Sequence, residues 1–185
     1  YWDDAGHLVV LDRQKDLMFL TDGTRFAPQD LENRLKFSPY IRDAVVVGHQ
    51  RDYIVTLISI DMENTGNWAR NRNIAYTTFT DLSQNSRVYD LVREEIDNVN
   101  QRLPTSMRLR RFVLLPKELH PDDEELTRTR KVKRNIINKR YGSLIDALYT
   151  DADRYHLKTE IRYMDGSVSK LESVLRLDSL TGFAS

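Results

Sequence analysis

Residues 126–141, LTRTRKVKRNIINKRY, hold the densest set of side chains able to act on an anion. Seven cations stand there, Arg128, Arg130, Lys131, Lys133, Arg134, Lys139 and Arg140, with no acid between them. Residues 122–125 just upstream form an unbroken acidic run. The spacing of Val132, Ile136 and Ile137, continued by Tyr141 and Leu144, predicts a helix over residues 132–148, interrupted at Gly142, with Thr129 as its N-cap. A helix N-terminus carries partial positive charge and free N–H groups, so Arg130, Lys131, Lys133 and Arg134 in its first turns would need an anion. That anion is either the acidic run or a phosphate-bearing ligand. A solvated basic face, neutralised locally, explains the same pattern.

Other chemistry is sparse. The four histidines, His7, His49, His120 and His156, lack metal-ligand spacing. There is no cysteine, which removes thiol catalysis and disulfides and points to a reducing compartment, the cytoplasm. No glycine-rich phosphate loop or nucleophile elbow is present. The aromatic residues do not interleave with the basic run as base-stacking platforms would. A self-contained active site is not expected.

Lys and Arg balance Asp and Glu at 28 each, so no overall field points to nucleic acid. The 185 residues are 40% hydrophobic, enough for a core in one or two small domains. No apolar run reaches the length of a membrane span. The chain opens on Tyr1-Trp2 without Met or a signal-peptide pattern, as expected of a piece of a longer protein.

The elements that must carry the basic segment can be read in order. Residues 7–11 and 17–20 read as strands, with Asp22-Gly23 as a tight turn and Arg25-Phe26 returning. Pro28 opens a helix through Lys36 with Leu31 and Leu35 on its apolar face. Residues 43–49 and 53–60 are β-branched strands joined by Gln50-Arg51-Asp52. Asp61 caps a short helix to about Arg72. Val88, Leu91, Val92, Ile96, Val99 and Leu103 form the clearest amphipathic stripe, ended by Pro104. Residues 110–115 give another strand. The tail offers a hairpin about Asp165-Gly166 or a short helix through Leu171, Val174 and Leu175. The expected class is α+β, a small mixed domain with an N-terminal hairpin, a central sheet of about three strands flanked by helices, and a C-terminal extension.

Two of these segments together resemble a known family. Asp12-Arg13-Gln14-Lys15-Asp16, then Asp22-Gly23 and Ala27-Pro28 with Leu31-Glu32, is similar to the hinge region of adenylate-forming enzymes. Ser38-Pro39-Tyr40-Ile41 and the run Ala44 to Gly48 match the segment that follows. Leu126-Thr127, Thr129, Lys131 and Arg134 resemble the terminal lysine motif of the long-chain acyl-CoA synthetases. The two motifs stand in the family's order, and the likeness covers residues 1–149, leaving 151–185 as an extension packed on the same domain. One departure stands out: the wider superfamily has Gly before the lysine, where this chain has Arg130.

The resemblance implies the C-terminal lid domain of a long-chain fatty-acid–CoA ligase, inactive alone. In such enzymes a fatty acid and ATP, with Mg2+, give an acyl-adenylate and pyrophosphate, and CoA then displaces AMP. Lys131 matches the adenylation lysine, Arg13 the arginine that meets the nucleotide ribose, Lys15 the hinge, and Gly23 the loop that faces the CoA channel after rotation. The implied partner is the enzyme's own N-terminal domain, with membrane contact of the whole enzyme left open. Each residue has a plainer reading: Lys131 as a solvated lysine, Arg13 paired with Asp12 or Asp16, Lys15 as a strand-end lysine, and Gly23 as a simple turn glycine. Two other functions stay open, a ligase for other acyl, aryl or amino acids, and a non-catalytic module binding anions such as RNA or acidic lipid.

Overall fold

The computed structural model describes residues 17–162 and 168–180. The strand expected over residues 7–11, Arg13, Lys15 and the Asp165-Gly166 turn lie outside the described residues.

Two short strands, β1 (Met18–Phe19) and β2 (Arg25–Phe26), pair antiparallel as the Asp22-Gly23 turn requires. Gly23 stands at φ +83, and Leu20 both donates to Thr24 O (2.9 Å) and accepts from Gly23 N (3.0 Å). This hairpin packs on the turn that follows β3. A Cβ on Gly48 would sit 3.0 Å from Phe26 and 3.2 Å from Leu20, so the close approach depends on glycine.

Helix α1 (Pro28–Leu35) buries Leu31 and Leu35 and leads into β3 (Ile41–Val47), which forms a hairpin with β4 (Ile54–Ile60). Helix α2 (Met62–Arg70) is capped by Asp61, whose carboxylate accepts from Asn64 N. Helix α3 (Phe79–Ser83) stands where no helix is expected. Thr78 and Asp81 form a reciprocal capping box there, a T-x-x-D signal short enough to pass for loop. Helix α4 (Ser86–Asn100) lays its apolar stripe on the sheet, and β5 (Leu109–Leu114) follows, parallel to β4. A parallel pair needs a long crossover, which α2 to α4 supply.

Helix α5 (Arg134–Ala147) runs through Gly142 without a break. The tail is a hairpin rather than a helix: β6 (Arg154–Arg162) and β7 (Val168–Ser179) pair antiparallel. Strand β7 also pairs with β5, so the larger sheet has five strands in the order β3-β4-β5-β7-β6, two more than expected. The tail's alternating residues fit either element, and only its register against β5 decides between them.

Helices cover both faces of this sheet. Leu31, Leu35, Val88, Val92 and Ile96 pack with Val46, Ile58 and Phe112 on one face. Ile137, Tyr141 and Leu144 pack with Val45, Leu57 and Val113 on the other. Every residue of β4 is therefore buried, which is why its sequence is a nearly continuous apolar run.

Candidate functional site

The basic segment divides into a loop and a helix, and this corrects the expected helix start. Thr129 is not the cap: α5 begins at Arg134, with Lys133 as its N-cap and no side-chain cap bond. Residues 126–132 instead turn back on themselves. Leu126 and Val132 form an isolated antiparallel bridge, Thr127 N donates to Lys131 O (2.8 Å), and Arg130 N donates to Thr127 O (2.9 Å). The Thr127 hydroxyl accepts from Lys131 N at 2.9 Å. Helical periodicity misleads here because Val132 is apolar for a different reason, its place in the bridge.

Arg130 closes this turn at φ +58. A non-glycine residue in the left-handed region costs about 1 kcal/mol or more. Its guanidinium donates to the carboxylate of Asp43, a buried residue of β3. The position where the wider pattern has glycine thus keeps the glycine-like backbone and adds a side-chain anchor.

A second arginine holds the other side. Arg134, the first residue of α5, donates to Glu32 Oε1 (2.6 Å) and to Val46 O (2.8 Å). Glu32 also accepts from Val46 N at 2.9 Å. Burial pushes the Glu32 carboxyl up, and the charge of Arg134 works against that rise. The Arg134 fork joins α1, β3 and α5 at one point.

Beneath the loop lies the acidic run. Asp123 and Glu125 are buried, and Lys117 Nζ reaches both, at 2.5 and 2.7 Å. Glu125, with no exposed surface, also accepts from Arg140 (2.6 Å), the Tyr141 hydroxyl (2.8 Å) and His120 N (3.3 Å). Its main-chain carbonyl accepts from Lys133 N at 2.9 Å. Burial, then the charge of Glu125, drives the Tyr141 hydroxyl well above the ordinary tyrosine range.

The seven cations therefore do not share one fate. Arg130, Arg134 and Arg140 are committed to buried carboxylates. Lys131 is exposed, and among the described residues no carboxylate pairs with its ammonium. Lys131 lines an open cleft of about 690 Å³ together with Lys36, His49, Arg134, Glu32 and Leu17. Leu17 is the first described residue after the Lys15 segment. Gly23 is exposed at the tip of the β1–β2 hairpin and does not line this cleft. The fold thus presents Lys131 in a polar, basic-rich recess and Gly23 on a separate loop. Among the described residues no group of three His, Cys, Asp or Glu could hold a metal ion, and no helix is long and apolar enough to cross a membrane.

Sequence reasoning missed the three buried carboxylates that receive these arginines. Glu32 sits beside Leu31 on the buried side of α1, and Glu125 follows three other acids, so neither announces burial. Asp43 stands next to Arg42 just before the apolar run of β3, and its partner lies far along the chain.

Comparison with known proteins places the chain in a family. The AMP-binding enzyme C-terminal domain family matches residues 15–153. The chain is 32% identical over 148 residues to the long-chain-fatty-acid–CoA ligase FadD15 of Mycobacterium tuberculosis, covering 80% of this chain and 25% of that protein. It is 28% identical over 152 residues to the long-chain-fatty-acid–CoA ligase 1 of Cavia porcellus, covering 80% and 22%. The chain therefore spans about a quarter of the length of these curated relatives. Among solved structures, the adenylation domain of a carboxylate reductase from Mycobacterium chelonae shares the fold, with a TM-score of 0.61, 22% identity, and 81% of this chain and 24% of that chain covered. The A-PCP didomain of a carboxylic acid reductase from Segniliparus rugosus, solved in complex with AMP, has a TM-score of 0.58 at 19% identity, covering 80% and 21%. With three quarters of its residues inside the family match and fatty acid–CoA ligases among its relatives, this chain belongs to the family of AMP-binding enzyme C-terminal domains.

Proposed function

We propose that this domain is the mobile lid of an ATP-dependent long-chain fatty acid–CoA ligase and that Lys131 is its adenylation lysine. We take residues 1–149 as the lid and residues 151–185 as an extension packed on the same domain; the pairing of β7 with β5 supports that packing. The observation that carries the reading is where one unpaired ammonium stands: Arg128, Lys131, Lys133 and Lys139 have no carboxylate partner among the described residues, and of these four only Lys131 lines the cleft. Lys131 stands exposed between two pinned arginines and faces a cleft whose other cations include Lys36 and Arg134.

The chemistry asks for such a group. In adenylation a fatty-acid carboxylate attacks the α-phosphate of ATP, and both partners are anionic. Negative charge grows on the phosphoryl oxygens as pyrophosphate leaves, and a preplaced cation lowers that barrier. A lysine suits this, since a compact ammonium on a long stem can reach between oxygens without a fixed fork geometry. An arginine in the same place would be drawn to carboxylates, as Arg130 and Arg134 are. Mg2+ would arrive with the nucleotide. CoA then attacks the acyl-adenylate and AMP leaves. For that step the lid turns about Lys15 and offers the Gly23 loop to the CoA channel, while Arg13 meets the ribose; a few-residue hinge accommodates such a rotation. The separation of the Lys131 cleft from the Gly23 turn supports two faces used in alternation. The fatty-acid relatives favour a long-chain acid over other carboxylates.

The test is the Lys131→Ala change in the whole enzyme that carries this lid. Pyrophosphate exchange should fall by about a hundredfold or more, while thioester formation from supplied acyl-adenylate and CoA persists. Unchanged exchange would end the assignment. Residues 1–185 alone, given ATP and a fatty acid, should release no pyrophosphate.

A further inference from the structure

Within the loop that presents Lys131, one side chain is tied to the scaffold at an unusual place. Arg130 precedes the lysine directly, holds a left-handed backbone at φ +58, and sends its guanidinium to Asp43 on β3. Asp43 is only 3% exposed, and among the described residues Arg130 is its ion-pair partner. The same turn is closed by Arg130 N donating to Thr127 O and by Lys131 N donating to the Thr127 hydroxyl, both at 2.9 Å.

We infer that Arg130 is a positioning residue for adenylation: by gripping Asp43 it fixes the left-handed turn against β3, and so fixes where the Lys131 ammonium points. Three features support this. A turn closed only by its own hydrogen bonds can shift as a unit, because none of those bonds reaches the sheet. The Arg130–Asp43 pair joins the turn to the sheet, at strand β3, through the residue next to Lys131. A positive-φ turn could also be met by glycine, so choosing an arginine there costs backbone strain and returns only the anchor. The anchor holds Lys131 from one side as the Arg134 fork holds it from the other.

The inference rests on the reading of Lys131 above, and the experiment separates the two. In the whole enzyme, Arg130→Gly keeps the backbone freedom and removes the grip, Asp43→Asn removes the charge at the other end, and Arg130→Lys keeps a cation. Each variant is assayed for pyrophosphate exchange and for thioester formation from supplied acyl-adenylate, beside Lys131→Ala. Arg130→Gly and Asp43→Asn should each lower the kcat of exchange about ten- to a hundredfold, the loss expected of a small misplacement. Their KM for ATP should stay within about twofold, because an interaction made in the transition state is what is lost. The double variant should be no worse than either single one, and Arg130→Lys should recover part of the rate. Thioester formation should stay within about twofold of the parent, since that step does not use Lys131. Parent-like exchange in Arg130→Gly, with exchange still abolished in Lys131→Ala, would overturn the inference and leave the lysine assignment standing. Equal loss in both half-reactions would also overturn it, marking Arg130 as structural only. Parent-like exchange in Lys131→Ala would remove the reading on which the inference rests.

Discussion

Of the turns in this domain that take a left-handed residue, those at Gly23 and Arg130 are built in opposite ways. At Gly23 the backbone stands at φ +83 with nothing within 4 Å of where a Cβ would be. Local hydrogen bonds close that turn, and Asp22 adds one more by accepting from Thr24 N at 2.8 Å. At Arg130 the residue is not glycine, φ is +58, and a carboxylate 87 positions away holds the side chain. The first turn is encoded by neighbours in sequence, the second by the sheet. The Gly23 turn itself is closed locally, while its hairpin is tied to the β3–β4 turn by Gln50 N donating to Phe19 O (2.8 Å) and Thr21 N donating to Arg51 O (3.1 Å). The Arg130 turn instead depends on a side-chain pair to β3, so the proposed reactive lysine is registered to the sheet.

The contrast can be broken most forcefully under the lysine loop. Glu125→Ala should destabilise the chain by about 3–5 kcal/mol, because it leaves a void, takes the carboxylate from Arg140 and leaves Lys117 with Asp123 alone. Thermal melting should fall by about 10 °C. A shift of roughly 2 °C or less would mean the buried network does not hold the loop. Tyr141→Phe removes one bond to the same carboxylate and should cost about 1.5–3 kcal/mol in denaturant unfolding at neutral pH.

The same tyrosine gives a pH signature. Its hydroxyl is raised in the fold by burial, so the folded form holds the proton when the unfolded chain has released it. Its contribution is fully present below the ordinary tyrosine value of about 10 and is lost as pH rises above it. Denaturant midpoints should thus drop on the alkaline side, and Tyr141→Phe should flatten that drop. An equal alkaline slope in parent and variant would contradict the burial argument.

Smaller effects sharpen the comparison at the first turn. Gly23→Ala should cost about 1 kcal/mol through φ alone, since the space is open. Gly142→Ala makes the complementary test. Gly142 lies inside α5 with no atom near a future Cβ, so alanine should stabilise by roughly 0.5–1 kcal/mol. A loss there would show that α5 needs the glycine for close packing.

The legibility of the sequence follows the same division. Elements fixed by local signals were readable: the Asp22-Gly23 turn, Pro28 opening α1, Asp61 capping α2, and the stripe of α4. Where a residue's role is set across the sheet, periodicity misled. Val132 belongs to a bridge with Leu126, so the helix starts two residues later than its apolar spacing suggests. The tail hairpin joins the sheet through β5, and no local pattern discloses that pairing. At the site, the order of motifs singles out Lys131, but three of its basic neighbours are taken by Asp43, Glu32 and Glu125, and of the four cations left unpaired among the described residues only Lys131 lines the cleft. Which arginines are pinned and which cation meets the cleft are set by distant residues rather than by the basic run itself.

One ammonium in this basic segment is proposed to serve adenylation, and the others are not. Lys131→Ala is therefore to be compared with Lys133→Ala and Lys139→Ala in the whole enzyme, taking for each the ratio of pyrophosphate exchange to thioester formation. The ratio should fall by about a hundredfold for Lys131→Ala and stay parent-like for the other two. Equal, modest losses in all three would contradict that proposal and make the segment a diffuse basic surface.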